Sequence, residues 1–203
     1  MQDPQLDPRK TPRQARSRKT CDAILRAAAE ILAKSGQRGL NTNHVAQKAG
    51  VSIGSLYQYF PNKQSIVVAL IGDRRQAVFD DMDRVAQAQE GAGLAEIIRA
   101  MTAVRLRHGF DRPALAAALE RAEAELPPDP ALRQQKTREQ ALIVAVLAEH
   151  YVDDPETVAR DVLAIGDGMS SAAIAAGEAD ADALMARVDR SVTGYLSGVP
   201  VGT

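Results

Sequence analysis

Seven side chains between positions 42 and 63 concentrate what chemistry this chain offers: Thr42, Ser52, Ser55, Tyr57, Gln58, Tyr59 and Lys63. They supply five hydroxyls, one amide and one ammonium, with no carboxylate among positions 41–63. Nothing here resembles an acid, base or nucleophile constellation. The three histidines, His44, His108 and His150, fall in different predicted elements, and the single cysteine, Cys21, lies on another. Catalysis and metal binding are not expected, and no cofactor is implied. The chemistry these groups suit is non-covalent. Hydroxyl, backbone N–H and ammonium donors satisfy phosphate oxygens, while a Gln amide pairs in two places with adenine.

Two short helical patterns position these groups. The first runs from about Asn43 to Ala49, with Val45, Ala46 and Ala49 on one inward face. Gly50 follows it, where a left-handed cap is cheap only for glycine. Ser52 stands ready as N-cap of the second pattern, Ile53–Tyr59. Val51, Leu56 and Phe60 hold that second helix to its neighbours. Ile53, Gly54, Ser55, Tyr57, Gln58 and Tyr59 are left for an outer face. Pro61 stops the helix, Asn62 caps the next, and Lys63 falls in its first turn. Two helices joined by a tight Gly-containing turn make a helix-turn-helix, whose second helix lies in the DNA major groove.

With these residues in view, the stretch resembles the DNA-binding domain of the tetracycline-repressor (TetR) family of transcriptional regulators. The matching features are Ala27-Ala28-Ala29-Glu30-Ile31-Leu32, Gly36, Thr42, Val45-Ala46, Ala49-Gly50-Val51-Ser52, Gly54-Ser55-Leu56-Tyr57, Tyr59-Phe60 and Lys63. The resemblance runs from roughly Arg16 to Leu70, about a quarter of the chain. It implies backbone contacts by Thr42, Tyr57, Tyr59 and Lys63, and base approach by Gly54, Ser55 and Gln58. Arg18, Asn43 and Ser52 complete the candidate DNA-binding set. Ile53 departs from the polar or basic residue often found at its position in the family, leaving its role open between a thymine-methyl contact and none.

Charge is unevenly spread. The net charge is −1, yet residues 1–63 hold eleven Lys/Arg against four Asp/Glu, a net of +7, and residues 64–203 hold fourteen against twenty-two, a net of −8. A basic N-terminal third on an acidic body is the footprint of one DNA-facing end. Residues 1–15 are polar and hold three prolines, so a disordered arm is expected. With Arg9, Lys10 and Arg13, followed by Arg16, Arg18 and Lys19, it is read as a phosphate or minor-groove contact. The lone cysteine excludes an internal disulfide. No signal peptide or long apolar run is apparent, so a cytoplasmic protein without membrane association is the expectation.

The remaining chain reads as all-α, about nine helices in total. Predicted domains are 16–62 for DNA binding and 63–203 for ligand binding and dimerisation, with 63–86 as connecting helix. After Gly91-Ala92-Gly93, Leu94–Arg107 forms a helix closed by His108-Gly109, and Asp111-Arg112-Pro113 opens the next. Asp129-Pro130 and Asp154-Pro155 repeat a cap-then-proline start. The last two helices, Pro155–Ala176 and Asp182–Leu196, carry amphipathic stripes suited to a four-helix contact with a second copy or equally to an ordinary core, and the helix-turn-helix favours the contact. Val162, Ile165, Met169, Ala173, Leu184, Val188, Val192 and Tyr195 are its candidates.

The family resemblance implies a homodimeric repressor of a double-stranded operator, released by a small-molecule effector. Met101, Arg105, His108, Phe110 and Leu119 are the pocket candidates. The scarcity of aromatics argues against a pocket for flat cations. The alternative is a DNA-binding dimer governed by a protein partner or by no effector at all.

Overall fold

A computed structural model describes residues 15–89 and 91–201, with side chains from 17 onward. The arm expected at 1–15, and the side chains of Arg9, Lys10, Arg13 and Arg16, lie outside the described residues. Among the described residues the architecture is all-α, as expected, with nine helices. They are α1 (Ala15–Gly39), α2 (Thr42–Ala49), α3 (Ile53–Tyr59), α4 (Lys63–Ala88) and α5 (Leu94–Phe110), then α6 (Pro113–Ala124), α7 (Pro130–Glu149), α8 (Pro155–Ala175) and α9 (Ala181–Leu196). An isolated antiparallel bridge pairs Val152 with Val201.

Helix ends follow side-chain chemistry. Gly36 breaks α1 with φ 61°. Asn41 caps α2, its Oδ1 accepting from His44 N at 2.8 Å. Gly50 takes φ 67° and donates to the carbonyls of Ala46 and Gln47, closing α2 in a conformation that costs other residues ~1–2 kcal/mol. Asp129 Oδ1 accepts from Leu132 N at 2.9 Å, and Asp154 and Asp180 cap α8 and α9 in the same way. One expected end is corrected. His108-Gly109 does not close α5, which continues to Phe110, with Asp111 N–H on the carbonyl of Arg107 at 2.8 Å. An interior Gly costs a helix only ~1 kcal/mol, and burial of Leu106 beside it outweighs that.

The chain forms two compact units. One comprises Met1–Arg74 with Ala114–Leu132, and the other Arg75–Pro113 with Arg133–Thr203. The linear division expected at 62/63 therefore does not coincide with them. The start of α4 and all but the first residue of α6 belong with α1–α3, because Ile66, Val67 and Ile71, with Leu115, Ala118 and Ala122, are buried in one cluster with Ile24, Leu32 and Phe60. A motif ends where its signature ends, but a helix stays with the core that covers it. In the second unit, Met82, Ile98, Met101, Leu147, Leu184 and Val188 are at most 1% exposed.

Candidate nucleic-acid interface

Helix α3 has seven residues, too short to be stable alone. It is held by Ser52, whose Oγ accepts from Ser55 N at 3.0 Å, and by Leu56 and Phe60, both 0% exposed. Fixing Leu56 inward turns positions 54, 57 and 58 away from the core, since each lies about 100° or more round the helix from it, while Ile53 is exposed in the first turn. Ile53 and Tyr57 are 38% and 41% exposed, and Gly54 and Gln58 are exposed as well. Neither α2 nor α3 carries an acidic residue in its first turn.

The structure joins several predicted contact residues to one another. Thr42 Oγ1 and Tyr57 Oη lie 3.0 Å apart. Two hydroxyls sharing one hydrogen bond use one proton and leave the other to donate outward, so the pair remains a donor for an anion. Asn43 is exposed on α2, and Arg18 is exposed on α1. Lys63 is the first residue of α4, half-buried, behind an N-terminus organised by Asn62, whose Oδ1 accepts from Ser65 N at 2.8 Å. A lysine beside such an N-terminus suits a phosphate oxygen.

Three expected contacts also bond within the protein. Tyr59 is half-buried against the first core, and its hydroxyl lies 3.0 Å from Ser17 Oγ, tying α3 to the start of α1. Ser55 Oγ lies 2.8 Å from Ser52 Oγ, so both hydroxyls serve the cap. Sequence reasoning missed Ser17, and nothing local marks it, because its partner is 42 positions away. It also passed over Lys48, whose Nζ meets Glu30 Oε2 at 2.8 Å across α2 and α1. Such an exposed pair contributes ~0–1 kcal/mol. Burial, then Asp22 and Asp73, push the Cys21 thiol up to about 11, which keeps it protonated and argues against redox sensing.

Four of the five pocket candidates lie in the second unit, and each is engaged there in packing or in an ion pair. Met101 is 1% exposed, in the core. Arg105 bridges Glu139 at 3.1 Å and Asp167 at 2.6 Å, fastening α5 to α7 and α8. His108 Nε2 sits 2.8 Å from Asp81 Oδ2. That bond, and then the one from Arg84, hold the Asp81 carboxyl below the ordinary carboxylate range. Phe110 packs half-buried on the second core, while Leu119 belongs to the core of the first unit.

Between α5 and α9 lies a half-open cavity of about 480 Å³, lined by none of these five residues. Its apolar wall holds Ala100, Ala103, Leu106, Met185 and Val192, with Thr102 and Ala186 between. Its polar rim holds Gln89, Glu96, Arg99, Asp182 and Asp189. Sequence alone places Glu96, Arg99 and Ala103 on one flank of α5, but not opposite α9. Among the described residues no cluster of three or more His, Cys, Asp or Glu could hold a metal, and no helix is long and apolar enough to cross a membrane.

The dimer candidates divide. Val162, Ala173, Leu184, Val188 and Val192 are at most 4% exposed within a single chain, so they serve its own core. Ile165, Met169 and Tyr195 are half-buried, and Tyr195 donates to Asp161 Oδ2 at 2.7 Å. The carboxylate at that hydroxyl pushes Tyr195 up to about 12.

Comparison with known proteins agrees with this geometry. Residues 24–70 match the family described as bacterial regulatory proteins, tetR family. The chain is similar to the HTH-type transcriptional repressor KstR of Mycolicibacterium smegmatis, 35% identical over 65 residues, or 32% of each chain. It is also similar to the fatty acid metabolism regulator protein of Bacillus subtilis, 31% identical over 75 residues, or 35% of this chain and 39% of that one. The match thus spans about a third of the length of these curated relatives. The crystal structure of a transcriptional regulator from Rhodococcus sp. Rha1 shares the fold at a TM-score of 0.71 and 22% identity, over 90% of this chain and 99% of that one.

Proposed function

We infer, from this chain's membership of the TetR family of bacterial transcriptional regulators, that it is a repressor that binds a double-stranded operator as a homodimer and is released by a small molecule. The observation that carries this reading is the outer face of α3. Ile53, Gly54, Tyr57 and Gln58 stand exposed there on a capped helix, with the Thr42–Tyr57 hydroxyl pair at its flank. Gln58 is the candidate for direct readout of adenine, and Ile53 for contact with a thymine methyl. Arg18, Asn43, Tyr57 and Lys63 surround them as backbone contacts. Regulation rather than catalysis also fits histidines that are each bound within the scaffold or exposed.

Dimerisation is supported by the demands of the operator, since helix-turn-helix pairs read half-sites ~34–36 Å apart or multiples of that. A self-contact through α8 and α9 would use Ile165, Met169 and Tyr195, with the exposed small residues Ala164, Gly168 and Gly194 between them, and not the five positions taken up by the core. Release by a ligand requires only that the ligand prefer the conformation in which the two recognition helices miss their half-sites. Coupling of ~1–3 kcal/mol would change operator affinity about 5–150-fold. The relatives' names, a repressor and a regulator of fatty acid metabolism, support the repressor reading.

The test is binding to a duplex from upstream of the protein's own gene, titrated with salt and compared with Lys63→Ala. Saturable binding that survives competitor DNA, with a salt slope shallower by ~1 in the variant, is the expected result. Weak binding, equal for both proteins and for any duplex, would sink the reading.

A further inference from the structure

We propose that the cavity between α5 and α9 is a binding site for an amphipathic primary amine, an ammonium head on a short apolar body. The proposal deepens the effector reading, and for its consequence on DNA it rests on that reading. A volume of about 480 Å³ lies within the ~300–1,000 Å³ range of small-molecule sites. The wall of Ala100, Ala103, Leu106, Met185 and Val192 has no aromatic ring. It forms a slot for aliphatic groups, with Met185 able to adapt to the guest.

The rim selects the charge. Three carboxylates, Glu96, Asp182 and Asp189, face the cavity with one base, Arg99. Its Nε lies 2.8 Å from Asp189 Oδ1, so that pair is neutral as a whole. Glu96 and Asp182 remain, both exposed, giving the lining a formal charge of −2. An anionic guest would be repelled by both and would compete with Asp189 for the Arg99 guanidinium. A cation meets neither obstacle.

An independent observation points the same way. Gln89 Oε1 is buried without a hydrogen-bond partner, although Gln89 lines this cavity. A turn of the Gln89 side chain would offer this unpaired acceptor to a guest, and an ammonium brings three donors and no acceptor. Gln89 directly follows the last residue of α4, the helix that begins at Lys63. Occupation of the cavity would therefore act at the end of the element whose start faces phosphate.

Octylamine and octanoate, matched in length and opposite in charge, are titrated calorimetrically into the full-length protein. The variants are Ala186→Trp, which fills the cavity from an exposed position, and Glu96→Gln/Asp182→Asn, which removes the free carboxylates. Saturable octylamine binding, at least tenfold tighter than octanoate, is expected for the unaltered protein. The double variant should lose about tenfold or more, and Ala186→Trp should lose binding outright, with thermal melts unchanged for both. Tighter octanoate, absence of octylamine binding, or binding indifferent to both variants overturns the proposal. The operator complex is then challenged with octylamine. Cavity-dependent binding that leaves DNA bound upholds the site and refutes amine-driven release. Release that persists in Ala186→Trp refutes the site and upholds a small-molecule effector acting elsewhere.

Discussion

In the first unit the groups that face solvent ride on α2 and α3, helices of eight and seven residues whose ends are tied by side chains one turn away. In the second unit the cavity is walled by α5 and α9, which lie far apart in the chain and are set by no local bond. The first arrangement displays polar groups on a small rigid platform, suited to a large polyanion met from outside. The second encloses apolar surface with charge at its rim, suited to a small guest that must leave water. The difference teaches which substitutions separate binding from folding. On α3 an exposed side chain is removed without touching the core, whereas around α5 even the predicted pocket residues are the scaffold.

The sharpest way to break this comparison is Phe60→Ala. Phe60 is 0% exposed in the first core, so the change should cost ~3–5 kcal/mol and abolish operator binding. If the units are separately cored, chemical denaturation followed by circular dichroism should show the second unit's transition surviving. A single transition shifted as a whole would mean one cooperative fold. Next in size, Gln58→Ala should leave the melting curve alone. Its loss of ~1–3 kcal/mol in discrimination should be confined to one base pair, as read by selection on a randomised operator. Uniform weakening on every sequence would make Gln58 a backbone contact instead.

A smaller effect is expected from Asn41→Ala, which removes the side-chain acceptor at the start of α2. About 1 kcal/mol of stability should be lost, with DNA affinity falling only as far as α2 frays. Equilibrium unfolding beside a binding titration separates the two. The smallest effect concerns Asp81, whose carboxyl His108 and then Arg84 hold below the ordinary range. Its folded pKa is depressed, so its contribution is present above the unfolded carboxylate pKa and is lost as pH falls through the folded one. Asp81→Asn should therefore lower stability near neutrality, converge with the unaltered protein at acid pH, and so flatten the acid limb of the stability curve. An unaltered acid limb would show that this half-exposed pair contributes nothing measurable.

How much of this was legible varied with the reach of the forces involved. Helix α3 falls on the residues read from the pattern, Ile53–Tyr59, because its limits are set by Ser52 at one end and Pro61 at the other. Tyr57 and Tyr59 look equivalent in sequence, two residues apart on one short helix. Ser17 and the first core make them differ, one hydroxyl turned to Thr42 at the surface and the other drawn under α1. Met101 and Arg105 stand out by type and by periodicity on α5, and His108 by type alone. Periodicity says that a residue faces inward, not whether it meets core, a partner charge or a cavity.

What the sequence determined by itself was therefore the set of helices, their caps, the helix-turn-helix and the uneven charge, since each depends on residues within a turn or two or on a simple count. Only the tertiary structure decided that α6 joins the first core, that Val162, Leu184 and Val188 are used up within one chain, and that α5 and α9 leave a slot between them. Those outcomes depend on which apolar stripe finds which, and stripes on different helices carry no mark of their partners. Packing chooses among them by shape and volume summed over the whole core.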